Sequence, residues 1–160
     1  TGGDAFSERN LASAYIAAGE FSKAREHLEK SLAKEPMHPH SNHYMGTLLY
    51  NEKRYAEAIA YNLKALEVSP DLLDAHYNIA LCAVEFGNKA FALEHLGQAV
   101  KKDPAFWESL LFYGQILREE GRYGEAKEAL EKAARVAPWS VQVAAELKMA
   151  EDGLAWEGAR

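Results

Sequence analysis

Apolar residues along this chain follow two nested rhythms. The short one is helical. From Pro39 to Glu52, the residues Asn42, Met45, Gly46 and Leu49 fall on one face at spacings of three and four. Lys53-Arg54 interrupts the pattern, and a second helix is predicted from Tyr55 to Val68 with Ala58, Asn62, Ala65 and Leu66 turned inward. Pro70 stops it, because proline cannot continue a helix and pushes the preceding residue out of the α region.

The long rhythm repeats this pair of helices. Pro36, Pro70, Pro104 and Pro138 stand 34 residues apart, and Pro39 alone lies outside the series. Large apolar residues recur at Leu11, Met45, Ile79 and Tyr113, and small ones at Ala12, Gly46, Ala80 and Gly114. Ala24, Ala58, Ala92 and Ala126 mark the second helices. A small residue on each helix lets the two axes approach closely. Such a fixed period predicts stacked repeats. Three slots depart from the pattern. Lys53 stands where Gly19, Gly87 and Gly121 do, Lys89 where Phe21, Tyr55 and Tyr123 do, and Asn62 where Leu28, Leu96 and Leu130 do.

The frame divides the chain into four repeats, 5–38, 39–72, 73–106 and 107–140. Residues 1–4, with Thr1-Gly2-Gly3 in place of an initiator Met, read as a tag remnant or lead-in. After Pro138, Trp139 to Asp152 reads as one more helix with Val143, Leu147, Ala150 and Leu154 in a stripe and Gly153 as its stop. Residues 141–160 are thus expected to be a capping helix or a truncated fifth repeat. Lys148, Glu151 and Asp152 supply part of the polar outer face that a terminal repeat needs. Val143, Leu147, Leu154 and Trp156 would remain as apolar surface for self-assembly into a homo-oligomer.

These slots resemble the tetratricopeptide repeat family over about Ala5 to Ser140. The resemblance implies an all-α, right-handed superhelical solenoid of antiparallel helix pairs, with the first helix of each pair lining a concave groove. Carried over residue by residue, the family's groove slots include Arg9 and Asn10 in the first repeat and His40, His43, Tyr44, Thr47 and Tyr50 in the second. The third repeat contributes Asp74, Tyr77, Asn78 and Leu81, and the fourth Glu108, Leu111, Phe112, Gln115 and Arg118. The helical stripe through 40, 43, 44, 47 and 51 supports the assignment independently. The implied site is a peptide groove with an aromatic centre, since aromatics with polar tips are common binding anchors. Glu85, Glu108 and Glu119 against Arg118 give it an acidic end. The expected ligand is a protein segment with apolar or aromatic anchors and a basic flank. Asn10 and Asn78 would meet its backbone with either end of their amides. The family's clamp for a C-terminal carboxylate needs Lys, Asn, Asn, Lys and Arg. Those slots hold Arg9, Ser13, Tyr44, Asp74 and Asn78, so that specialisation is not expected.

Charge and chemistry narrow the reading further. A net charge of −6 argues against a nucleic-acid surface. No run approaches the roughly 18 apolar residues of a membrane span, and membrane insertion is not expected. The compartment stays open, the cytoplasm being favoured over the periplasm or export. Cys82 is the single cysteine and sits in an apolar helix as an expected inert thiol. His38, His40 and His43 could share a zinc or nickel ion. With no thiolate nearby and no CxxC or HExxH in the chain, aromatic and hydrogen-bonding surface is the expected role, and no cofactor is expected. His27 and His95 occupy equivalent slots and read as duplicated scaffold, while His76 reads as a packed histidine. No Gly-rich phosphate loop or nucleophile elbow occurs, so the expected protein is a non-catalytic scaffold or the docking arm of a larger multidomain protein.

Overall fold

The computed structural model describes residues 3–159. Among them are nine helices and no strand. They run α1 (Ala5–Ala17), α2 (Phe21–Lys34), α3 (Pro39–Asn51), α4 (Tyr55–Val68), α5 (Leu73–Glu85), α6 (Lys89–Lys102), α7 (Trp107–Glu119), α8 (Tyr123–Val136) and α9 (Val141–Gly158). Helix α4 begins and ends where the apolar pattern placed it, and α3 ends one residue earlier than expected. The chain forms two compact units, one within Thr1–Asn88 and one within Lys89–Arg160. The division falls inside the third predicted repeat, so α5 belongs to the first unit and α6 to the second.

Each turn within a pair closes on a residue in the left-handed region. Gly19, Gly87 and Gly121 have φ of 74°, 71° and 75°, and Lys53 adopts 61° in the same slot. The next amide then reaches back across the helix end. Glu20 N donates to Tyr15 O, Arg54 N to Leu49 O and Arg122 N to Leu117 O, at 2.8 to 2.9 Å. This is the Schellman closure, which satisfies carbonyls that a helix end leaves open. At Pro36 and Pro70, the proline carbonyl is tied down by the following helix. Asn42 Nδ2 donates to Pro36 O at 2.9 Å, and His76 Nε2 donates to Pro70 O at 3.0 Å. His76 is therefore a turn clamp as well as a packed side chain.

In the first unit, α1 packs on α2, α3 on α4, and α1, α3 and α5 lie side by side. Ala12, Ala24, Leu28, Met45, Leu48, Leu49, Ala58 and Cys82 form its core. In the second unit, α7 packs on α8 and α9 on both. Leu110, Leu111, Leu117, Ala126, Leu130, Ala133, Val143 and Ala150 form its core.

The terminal helix departs from expectation in two ways. It does not stop at Gly153 but runs to Gly158. A Cβ at Gly153 would sit 2.8 Å from Cζ of Tyr123, so this glycine permits helix contact rather than ending the helix. Val143, expected at a free surface, is buried against α8. Leu147 is half-buried in the same core, which leaves Leu154 and Trp156 as the exposed members of the predicted set.

Candidate functional site

The first unit carries most of the predicted groove residues. Arg9 and Asn10 lie on α1, His40, His43, Tyr44, Thr47 and Tyr50 on α3, and Asp74, Tyr77, Asn78 and Leu81 on α5. Asn10, His40 and Asp74 are exposed, and Tyr44, Thr47, Tyr50, Tyr77 and Leu81 are half-buried. Tyr44 is flanked by His43 and His40, with ring centres 5.5 and 6.5 Å away. Tyr50 leans on Tyr55 at 5.7 Å, and burial followed by the charge of Glu85 pushes its phenol above the ordinary range. Arg9 is held by neighbours of its own unit, its guanidinium 5.2 Å from the Phe6 ring centre and 3.9 Å from Glu35 Oε2.

Two residues expected to face a ligand are internal struts instead. His43 is buried, with its Nδ1 2.9 Å from Oδ1 of the fully buried Asn62. Asn62 in turn donates to Ala58 O at 2.9 Å. Burial holds the His43 imidazole below its ordinary pKa, against the raising effects of Asn62 and Asp74. The departure from the repeat pattern at 62 is therefore matched by the histidine at 43. Asn78 is buried as well. Its Nδ2 donates to Thr47 Oγ1 at 2.9 Å, and Thr47 Oγ1 donates to the His43 carbonyl at 3.2 Å. This chain of bonds pins α5 to α3. Cys82 approaches Asn78 Oδ1 at 3.7 Å, and burial pushes its thiol up to about 12, so it is inert at neutral pH.

The histidine cluster separates. His38 and His40 have ring centres 5.8 Å apart, while His43 turns inward to Asn62. Among the described residues, no three His, Cys, Asp or Glu side chains are grouped to hold a metal ion. His27 and His95 also differ from one another. His27 stacks on Tyr15 at 5.4 Å, and its Nδ1 lies 2.7 Å from the buried Glu8 Oε2, which lowers the carboxyl pKa. His95 meets the Phe91 ring edge-on at 4.6 Å. The Glu8–His27 pair was not anticipated, although an acid in a slot otherwise held by Asn42, His76 and Leu110 was a visible signal.

In the second unit, α7 carries Glu108, Leu111, Phe112, Gln115 and Arg118. Leu111 is buried in the core and is not available to a ligand. Glu146 of α9 takes both polar groups nearby. Gln115 Nε2 donates to Glu146 Oε1 at 3.1 Å, and Arg118 Nε to Oε2 at 2.8 Å. The predicted acidic end is also partly neutralised, because Lys89 Nζ lies 2.9 Å from Glu119 Oε2. Lys89, read as a loss of an aromatic, thus gains an ion pair. Glu108 and Phe112 remain half-buried.

Comparison with known proteins bears on the fold and the family. The small glutamine-rich tetratricopeptide repeat-containing protein 2 of Mycosarcoma maydis is 33% identical over 93 residues, 58% of this chain and 26% of that protein. BBSome complex member BBS4 of Bos taurus is 27% identical over 119 residues, 73% of this chain and 22% of that protein. The chain thus spans about a quarter of the length of these curated relatives. Among solved structures, YrrB, described as a tetratricopeptide repeat protein with an unusual peptide-binding site, superposes with a TM-score of 0.80. It shares 22% identity, with 98% of this chain and 79% of that one covered. A MamA protein superposes with a TM-score of 0.80 at 17% identity, over 94% of this chain and 82% of that one. At these identities the likeness shows the fold, the all-α solenoid of helix pairs. The sequence model of the tetratricopeptide repeat matches residues 9–72 and 77–140, which is more than half of the chain. The chain belongs to the tetratricopeptide repeat family.

Proposed function

We propose that this protein is a non-catalytic interaction scaffold that captures a segment of a partner protein on the face formed by α1, α3 and α5. The tetratricopeptide fold supports a protein–protein interaction role. The observation that carries the finer reading is the pair Tyr44 and Tyr77, half-buried on the adjacent helices α3 and α5, with Asp74 and His40 exposed beside them. Half-buried aromatics offer a large apolar area at low conformational cost and gain most when a partner finishes burying them. The exposed Asp74 carboxylate favours a basic flank on the ligand. Asn10, exposed on α1, is the amide that can meet a peptide backbone, whereas Asn78 is engaged with Thr47. The peptide-binding site described for YrrB, a protein of the same fold, lends the reading support.

Selection of displayed random peptides against the whole chain tests it, with a Tyr44→Ala/Tyr77→Ala variant as counter-screen. The expected result is a motif of aromatic or apolar anchors with a basic flank, whose binding falls at least about tenfold in the variant, since buried aromatic anchors commonly contribute 1–2 kcal/mol or more. Peptides that bind wild type and variant equally, with the variant's helical content unchanged, would overturn the reading.

A further inference from the structure

Helix α9 sits at the phase of a fifth first-helix, but its slots are filled differently. In the 34-residue register, Lys148 stands where Ala12, Gly46 and Gly114 stand. In two of those pairs the slot admits no side chain at all. A Cβ at Gly46 would lie 2.8 Å from Cγ of Asn62, and one at Gly114 would lie 2.6 Å from Cγ of Leu130. A lysine there keeps off a helix packed in the same manner. Glu151 stands where the buried Leu49 and Leu117 do, and it is exposed. Ala155 stands at the left-handed turn slot of Gly19, Lys53 and Gly121, yet the helix runs through it. The outer side of α9 is therefore not built as half of another repeat pair.

That side is nevertheless apolar in part. Val141 is 82% exposed, Met149 43% and Trp156 56%. With Ala145 they follow one stripe of the helix, at steps of four, four and seven residues. Lys148 and Asp152 straddle the centre of the same side, both exposed, and neither forms an ion pair among the described residues.

We propose that this face of α9 pairs with the same face of a second copy of the chain, antiparallel, about a two-fold axis at the level of Ala150. The charges on this face point to the occupant. In a two-fold contact, residues equally spaced before and after the axis meet. Lys148 then lies opposite Asp152 of the other copy, and Asp152 opposite its Lys148, so two ion pairs form where each copy alone has none. Trp156 comes over the small residues Ala144 and Ala145, which leave room for an indole. A continuing repeat would need a small residue at 148, whereas a face that carries one charge of each sign is complementary to itself when two copies run antiparallel.

Sedimentation equilibrium of the whole chain over a concentration series into the high micromolar range tests the proposal. The expected result is a monomer–dimer equilibrium that Lys148→Glu and Asp152→Lys each weaken by at least tenfold, because either places like charges opposite one another at both crossings. All positions changed are exposed, and circular dichroism checks that the helices remain. An equimolar mixture of K148E and D152K should form a heterodimer that neither variant forms with itself, since opposite charges then meet at both crossings. The K148E/D152K double variant should dimerise like wild type. A wild-type chain that stays monomeric, a dimer indifferent to the single reversals, or a mixture that fails to pair would each overturn the proposal.

Discussion

The second and fourth helix pairs, α3–α4 and α7–α8, solve one packing problem with different chemistry. Both bring the helices together over a glycine, Gly46 in one and Gly114 in the other. Over Gly114 lies Leu130, fully buried, in a core of Leu110, Leu111, Leu117 and Ala126. Over Gly46 lies Asn62, equally buried, which brings its own partner in His43. The apolar version needs only shape. The polar version needs shape and a complete set of hydrogen bonds, because a buried amide without a partner costs about 1–3 kcal/mol. The backbone architecture thus tolerates either solution, provided the change at 62 is accompanied by a matching residue at 43.

The largest effects should come from filling the glycine slots. Gly46→Val and Gly114→Val are each expected to cost about 3 kcal/mol of stability, the upper part of the range for overpacked cores. Chemical denaturation of the two variants measures it. The comparison sharpens when the covering residue is also cut back. Leu130→Ala should relieve part of the Gly114→Val loss, giving a favourable coupling of about 1 kcal/mol in a double-mutant cycle. Asn62→Ala should relieve Gly46→Val less. The Ala58 carbonyl stands 3.1 Å from the new Cβ, and the backbone cannot withdraw as a leucine side chain can. Equal coupling at both sites would show that the covering side chain alone sets the tolerance.

A smaller effect separates the polar site from the apolar one. Asn62→Leu restores the residue found in the other repeats but leaves the His43 imidazole without its partner, for an expected loss of about 1–2 kcal/mol. Adding His43→Leu, the residue type that Leu111 brings to the same slot in the fourth repeat, should return stability to the wild-type level or above. The double variant should also flatten a pH dependence. Burial lowers the His43 pKa in the folded state, so as pH falls below the unfolded value of about 6.5 the unfolded chain takes up the proton first. Stability from this group is therefore complete above that pH and is lost as pH falls through the folded value. Denaturation midpoints at pH 7 and pH 5 should differ more for wild type than for His43→Leu/Asn62→Leu. Identical differences would mean that His43 does not titrate in this window.

These sites also mark what the sequence made legible. The 34-residue period defined the pairs, and the apolar stripe placed α4 at its observed ends. Periodicity reports the side of a helix a residue occupies; of the groove slots implied by the family resemblance, Tyr44 and Tyr77 are half-buried and Asp74 is exposed. It did not report which partner lies across the contact. His43 and Asn78 share the groove phase but are drawn inward by Asn62 and Thr47, and Leu111 is drawn into the core. Gly153 was misread for a related reason. Glycine ends helices and also permits close contact, and only the Tyr123 ring, 30 residues away in the chain, distinguishes the two. Glu146, which engages both Gln115 and Arg118, lay in a helix whose docking no spacing rule could fix.

The smallest difference between the two pairs lies in their turns. Lys53 and Gly121 occupy the same slot with φ of 61° and 75°. For a residue with a side chain, this left-handed conformation costs about 1 kcal/mol, which glycine avoids. No atom lies within 4 Å of a Cβ placed on Gly121, so a substitution there changes the backbone term without a clash, unlike Gly114 seven residues earlier. Lys53→Gly should therefore gain about 1 kcal/mol and Gly121→Lys lose about the same, with the double exchange near neutral, as read from denaturation midpoints. A gain at 53 without a loss at 121 would locate the cost in the polar pair itself rather than in the turn conformation.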